Sequence, residues 1–233
     1  MSMSRRELLE GSAGLALTGA AALSLAGPAF AQGPRRSAAE TVDVKELMTP
    51  GPLGDCVLGN AAAPVTLVEY ASLTCGHCAT FHTAILPGLK EKYIDTGKVR
   101  LVFREFPLNQ LDTAVYMLTR CALGADGMSS GDQARYFAMI NVFFREQRNW
   151  AFTNDPLTAV TGITRQAGFT QAAFEACLNN QAILDALNAV RDRASSVFGV
   201  DSTPTFFVNG KRVLGAQPLE EFEKIIVPLL PPA

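Results

Sequence analysis

A run of mostly apolar residues, Val65-Thr66-Leu67-Val68-Glu69-Tyr70-Ala71, leads almost directly into two cysteines three positions apart, Cys75-Gly76-His77-Cys78. The run follows Pro64 and is rich in β-branched residues, so it predicts a buried strand. From Cys75 to Ile94 the period becomes helical, with Phe81, Ile85 and Leu89 on one stripe and Pro87 expected to kink it. The chain must therefore build a fold that presents a thiol pair where a strand hands over to a helix. Its 233 residues, 48% of them apolar and 18% charged, suffice for one large domain or two small ones and exclude a disordered chain. Twenty Lys plus Arg against 22 Asp plus Glu give a net charge of -2. With no block of like charge, nothing favours nucleic acid or an anionic membrane as a partner.

Five cysteines make the compartment the next question, and the N-terminus answers it. Ser4-Arg5-Arg6-Glu7-Leu8-Leu9 precedes a stretch rich in Ala, Gly and Leu from Gly11 to Gly27, and Ala29-Phe30-Ala31 has the small-x-small pattern of a cleavage site. Residues 1–31 read as an export signal, with the paired arginines before Leu-Leu favouring the twin-arginine route over the ordinary secretory one. The apolar run is weakly hydrophobic and followed by that site, short of the roughly 20 strongly apolar residues of a retained span. Gln32 would begin the mature chain, and the absence of a Cys there argues against a lipid anchor. The expectation is a soluble periplasmic protein, in a compartment where disulfides persist.

Residues 32–64 read as a leader draped over the domain, with one short helix near Val44 to Met48. A second strand is expected from Lys98 to Phe103. Helical composition then dominates 109–198, in segments Thr113–Leu123, Asp132–Arg145, Pro156–Gln166, Gln171–Leu178 and Ala182–Phe198. Strands return at Thr205–Val208 and Arg212–Leu214, joined through the hairpin dipeptide Asn209-Gly210, and a last helix follows Pro218. The order implies an α/β fold in two parts: a sheet domain from 65–108 and 199–233, interrupted by an all-helical insertion at 109–198.

Cys75 lies where unsatisfied backbone N–H groups and the helix dipole favour a thiolate, which makes it the candidate nucleophile. At 100° per residue Cys78 falls about 20° from Ile85, inside the apolar stripe, and should be the more buried thiol. His77, near the helix start, is expected to add to the stabilisation of the Cys75 anion. Two other readings compete: an inert structural disulfide, or a zinc site using Cys75, Cys78 and His82, for which no fourth ligand is evident. Glu69 on the buried strand is an expensive carboxyl unless it moves protons or pairs, the alternative being a surface position on an edge strand. Pro204 opens the strand at Thr205, where local sequence favours a plain trans turn after Thr203. Taken alone, Cys121 and Cys177 read as buried core thiols, and Cys56 as a small buried apolar residue. The aromatics and methionines from Phe137 to Phe144 and Trp150 read as core, and Arg104 and Glu105 as paired or solvated surface charges.

Strand-Glu69-x5-Cys75-Gly-His-Cys78-helix, a helical insertion, then Ser202-Thr203-Pro204-Thr205-Phe206-Phe207-Val208-Asn209-Gly210 resembles the DsbA family of thioredoxin-fold thiol oxidases. The likeness runs from about Leu58 to the C-terminus and includes Phe103-Arg104-Glu105-Phe106-Pro107-Leu108. It implies a thioredoxin fold with an inserted all-helical subdomain. It also implies Cys75 as the attacked sulfur, Cys78 as the resolving one, Glu69 as the buried acid beneath them, and Pro204 as a cis-proline facing the disulfide. Thr203 would lend its backbone to an incoming peptide, and Cys121 and Cys177 would form a second disulfide. Many members have Pro where this chain has Gly76, and Gly-His is also the dipeptide of the eukaryotic disulfide isomerases.

The resemblance implies a monomeric oxidase that needs no cofactor or metal. Reduced exported proteins would be its substrates, and a quinone-linked, DsbB-like membrane thiol oxidase its electron acceptor. An isomerase or reductase of the DsbC or DsbG kind is the first alternative, although the stretch between Gln32 and Val65 is too short for the dimerisation domain of those families. A thioredoxin-fold chaperone or binding module with an incidental dithiol is the second.

Overall fold

The protein was analysed as a computed structural model, which describes residues 40–124, 127 and 131–232. The export signal expected at 1–31 and the first part of the leader lie outside the described residues. In chain order the elements are α1 (Val44–Leu47), β1 (Cys56–Leu58), β2 (Val65–Ala71), α2 (Gly76–Thr80), α3 (Leu86–Leu89), β3 (Val99–Glu105), α4 (Gln110–Arg120), α5 (Gln133–Arg145), α6 (Gln147–Trp150), α7 (Pro156–Gln166), α8 (Gln171–Leu178), α9 (Gln181–Phe198), β4 (Thr205–Val208), β5 (Lys211–Leu214) and α10 (Leu219–Ile226). The sheet order is β1-β3-β2-β4-β5, with β2 and β3 parallel and the other neighbours antiparallel.

All of β2 is buried, because it lies between β3 and β4 and has helices over both faces. Its alternate residues serve two cores. Val65 and Leu67 pack with Phe81, Leu89 and Phe222, whereas Val68 and Tyr70 pack with Leu47, Ala194 and Phe198. Glu69 has the parity of Leu67 and therefore faces the layer that contains the helix after Cys75. The Asn209-Gly210 turn has positive φ at both residues, 43° and 87°, which the two-residue hairpin between β4 and β5 requires.

Three expectations change. The leader is part of the fold: Cys56–Leu58 pairs with β3 as an edge strand, and Thr41 bridges to Lys211 at the opposite edge. The segment after Cys75 does not keep a 3.6-residue period, since Phe81–Ile85 and Lys90–Ile94 are π-helical. The Leu86 N–H reaches back to the Phe81 carbonyl, five residues away, just before Pro87, whose ring cannot donate to the preceding turn. This wider turn moves the apolar stripe on by one residue, so Leu86 is buried and Ile85 only partly so. Arg104 and Glu105 are not surface charges. Arg104 pairs with Asp55 and donates to the Tyr70 hydroxyl, and Glu105 is fully buried against Arg120.

The insertion, α4 to α9, has its own core of Tyr116, Phe137, Ile140, Phe143, Trp150 and Leu187, continuous with Cys78 and Phe103 of the sheet domain. Trp150 donates its indole N–H to the Phe143 carbonyl at 2.7 Å. Helix α9 closes at Gly199 in the left-handed conformation, φ 64°. Cys121, at the end of α4, is joined by a disulfide to Cys177 of α8, a sequence separation of 56. Closing a loop of that length contributes about 4 kcal/mol on the chain-entropy model. Non-reducing peptide maps of the purified protein should show this pair, with Cys56 unmodified. The double variant Cys121→Ala/Cys177→Ala should lose roughly 2 to 4 kcal/mol in urea unfolding while still folding. A Cys56 crosslink to either cysteine would overturn the assignment.

Candidate active site

Cys75 is the N-cap of α2, with extended φ of -86° and ψ of 121° and no side-chain cap of its own. The first-turn N–H groups of a helix lack intrahelical partners, and those of His77 and Cys78 lie at this end, where they favour the Cys75 anion although the thiol makes no side-chain cap bond to them. The Cys75 thiol is lowered from the ordinary 9.0 to about 5, chiefly by a hydrogen bond from the Cys78 thiol, against the opposing effect of burial. The Thr203 side chain and the two backbone N–H groups supply the rest. Cys78 is completely buried and shifts the other way, well above its ordinary value, first through burial and then through its bond to Cys75 and the charges of Cys75 and Glu69. Two thiols three residues apart therefore differ strongly in acidity.

On the far side of Cys75 the Thr203–Pro204 peptide bond is cis, against the trans turn suggested by local sequence. The Cys75 thiol donates to the Thr203 carbonyl at 3.3 Å, and the Thr203 hydroxyl is buried without a hydrogen-bond partner. Pro204 is buried at the start of β4, so the backbone of Thr203 borders the reactive sulfur. Gly76 and His77 are exposed, and a Cβ at Gly76 would meet nothing within 4 Å. The backbone N–H of His77 is among the groups that favour the Cys75 anion, and its imidazole is exposed beside the pair.

Glu69 is fully buried in the central strand and not at an edge. Both of its oxygens lie 3.1 Å from Nε2 of His82, whose ring stacks on Phe144 with centroids 4.1 Å apart. Cys75, Cys78 and Glu69 thus gather at one end of the sheet, and His82, considered as a zinc ligand, is instead turned to Glu69. The one sequence signal for that pairing is that His82 lies four residues after Cys78 and so on the same helical face. Asp112 was overlooked. It is fully buried, accepts from Ser72 Oγ at 2.6 Å and from the N–H groups of Leu73 and Leu108 at 2.9 Å, and is pushed up to about 6 by burial. Its one sequence signal is the cap Asn109, whose side chain accepts from the Asp112 N–H. Cys56 stands apart, its thiol pushed up to about 12 by burial, a packing residue without nucleophilic character.

Among the described residues no helix is long and apolar enough to cross a membrane. Residues 53–227 match the family described as thioredoxin. A Rickettsia typhi protein described as a candidate protein-disulfide oxidoreductase is 36% identical over 156 residues, covering 67% of this chain and 55% of that one. The chain thus spans about half the length of these curated relatives. The crystal structure of Wolbachia pipientis α-DsbA1 is similar with a TM-score of 0.71 and 33% identity, covering 80% of this chain and 96% of that one. Oxidised BdbD from Bacillus subtilis, at 17% identity and a TM-score of 0.64, shares the fold. The chain belongs to the thioredoxin family, in its DsbA-like group.

Proposed function

We propose that this protein is a periplasmic thiol oxidase that introduces disulfides into exported proteins through Cys75 and Cys78. The observation that carries the reading is the asymmetry of the pair, an acidic, partly exposed Cys75 against a buried Cys78 held protonated. In the oxidised enzyme a client thiolate attacks the Cys75 sulfur and breaks its bond to Cys78, which leaves with the electron pair and takes a proton. A second client thiolate then attacks the client sulfur of the mixed disulfide, and Cys75 leaves as a thiolate. The client has lost two electrons and the enzyme holds them as a dithiol. A stabilised Cys75 thiolate is a good leaving group, so it favours client oxidation.

Glu69, a buried acid whose charge is felt at Cys78, would exchange the proton of that thiol, and the Thr203 backbone beside Pro204 is the place for an extended client segment. Electrons would pass from the dithiol to a quinone-linked membrane oxidase. Export rests on the signal pattern at 1–31, and the Cys121–Cys177 bond suits the same compartment. The enzyme would work as a monomer.

Thiolate absorbance titration of the reduced protein should give an apparent value near 5 for Cys75; one near the roughly 8.5 of a free cysteine would remove the basis of the proposal. Thr203→Val should raise the value by about one unit by deleting a hydrogen bond to the anion. His77→Ala keeps the backbone N–H and removes the exposed imidazole, and should also raise the value by the share the imidazole supplies; no change would mark the side chain as a bystander. Equilibrated with glutathione, the pair should lie nearer the about -120 mV of a strong oxidant than the about -270 mV of thioredoxin, and Cys75→Ala should abolish oxidation of a reduced unfolded client. A potential at the thioredoxin end would turn the reading to a reductase or isomerase.

A further inference from the structure

Within the lead-in to the active-site helix, Ala71 to Cys75, the hydrogen bonds are a turn from the Cys75 N–H to the Ser72 carbonyl, at 3.2 Å, and the contacts of Ser72 Oγ with the Thr74 N–H and hydroxyl. Every residue in it is held by a side chain from the helical insertion or the segment that opens it. Tyr116 donates its hydroxyl to the Ala71 carbonyl at 2.6 Å. Asp112 takes Ser72 Oγ and the Leu73 N–H, and Asn109 donates to Thr74 Oγ1 at 3.0 Å. Gln147, in α6, spends its one carboxamide nitrogen on two carbonyls, Leu73 at 2.7 Å and Cys75 at 2.9 Å. Gln147 and Asp112 are 4% and 0% exposed, so neither could be left unpaired without a desolvation cost.

The geometry points to Gln147 and Asp112 as positioning residues for Cys75, through which the helical insertion sets the acidity of the reactive sulfur. The inference rests on the oxidase reading above and extends it to two side chains outside the thioredoxin part. Stabilising the thiolate requires the Cys75 sulfur to stay aligned with the N–H groups of His77 and Cys78 and with Thr203. That alignment depends on the orientation of the Cys75 peptide, because the cap residue has no side-chain bond to the helix end to fix it. Gln147 gives that carbonyl a second donor beside the Ala79 N–H, which reaches it at 3.1 Å, and places the positive end of its carboxamide dipole next to the cysteine. Asp112 fixes the preceding turn from the other side. Both act at a distance from the sulfur, so their effect on chemistry should appear as a changed pKa and potential.

The test compares wild type, Gln147→Met, Ser72→Ala and Thr164→Val. Gln147→Met keeps the volume and deletes both hydrogen bonds. Ser72→Ala removes one of the bonds to Asp112 together with the Ser72 contacts to Thr74, leaves Gln147 in place, and serves should Gln147→Met fail to fold. Thr164→Val deletes a buried hydroxyl bond within α7 that does not touch the lead-in, and so controls for simple destabilisation of the insertion. Thermal unfolding, thiolate titration and equilibration with glutathione are read on each. Gln147→Met is expected to raise the Cys75 value by about one unit and make the enzyme about tenfold less oxidising. Ser72→Ala should shift both quantities the same way by less, and Thr164→Val should lower stability with no change in either. A low wild-type value that persists in Gln147→Met and Ser72→Ala, or a rise of equal size in Thr164→Val, would overturn the positioning role and leave the oxidase reading intact. An unperturbed value in wild type would overturn the oxidase reading and this inference with it.

Discussion

Glu105 and Arg120 meet in the interior of the protein, and much of the architecture converges on that contact. Arg120 reaches Glu105 with Nε and with Nη2, the latter at 2.7 Å, and sends Nη1 to the Leu53 carbonyl at 3.0 Å. Tyr136 donates its hydroxyl to the same carboxylate at 2.6 Å. One buried anion thereby ties together the end of β3, the end of α4, the start of α5 and the leader before β1. Either charge alone in this interior would cost several kcal/mol, so the network is stable only when all these segments are docked together. Its members specify how the insertion sits on the sheet. That placement in turn brings Asp112 and Gln147 to the turn before Cys75.

The features legible in the sequence were those written locally. The apolar run of β2, the cysteine spacing, the Asn209-Gly210 turn and the amphipathic segments of the insertion each state their own conformation through period or backbone preference. Helices α7 and α8 coincide with their expected bounds because Asp155 before Pro156 and Thr170 before Gln171 supply side-chain caps. Features that depend on what lies opposite were not legible. Arg104 and Glu105 look like ordinary surface charges until β1 and α4 cover them. Cys56–Leu58 is too short to declare itself a strand without β3 beside it, and the π-helical turns appear only once the helix must pass Pro87 and still bury Leu86. His82 offered a plausible ligand pattern, and only the sheet register reveals that Glu69 stands under it.

The site follows the same division. Its reacting sulfurs were evident from spacing and position, whereas the cause of their difference was not. Proximity to the helix start and to an imidazole suggested one origin for the acidity of Cys75. In the folded protein the larger influence is the neighbouring Cys78 thiol, with Thr203 and two backbone N–H groups beside it. Burial raises both thiols, and the donors around Cys75 outweigh it at that position alone. It keeps Cys78 a thiol while Cys75, partly exposed and surrounded by donors, ionises.

The central claim is that the folded protein stabilises the Cys75 anion, and denaturant unfolding of the reduced and oxidised forms across pH tests it directly. The folded value of about 5 lies below the ordinary 9.0. The reduced native state therefore gains a stability that is complete above the unfolded value, present in part at neutral pH, and lost as pH falls through the folded one. The disulfide form has no thiol to titrate and no such gain. The reduced form should be the more stable at neutral pH despite lacking the crosslink, and its advantage should shrink as pH falls toward about 5. An oxidised form that is the more stable at neutral pH would contradict the account.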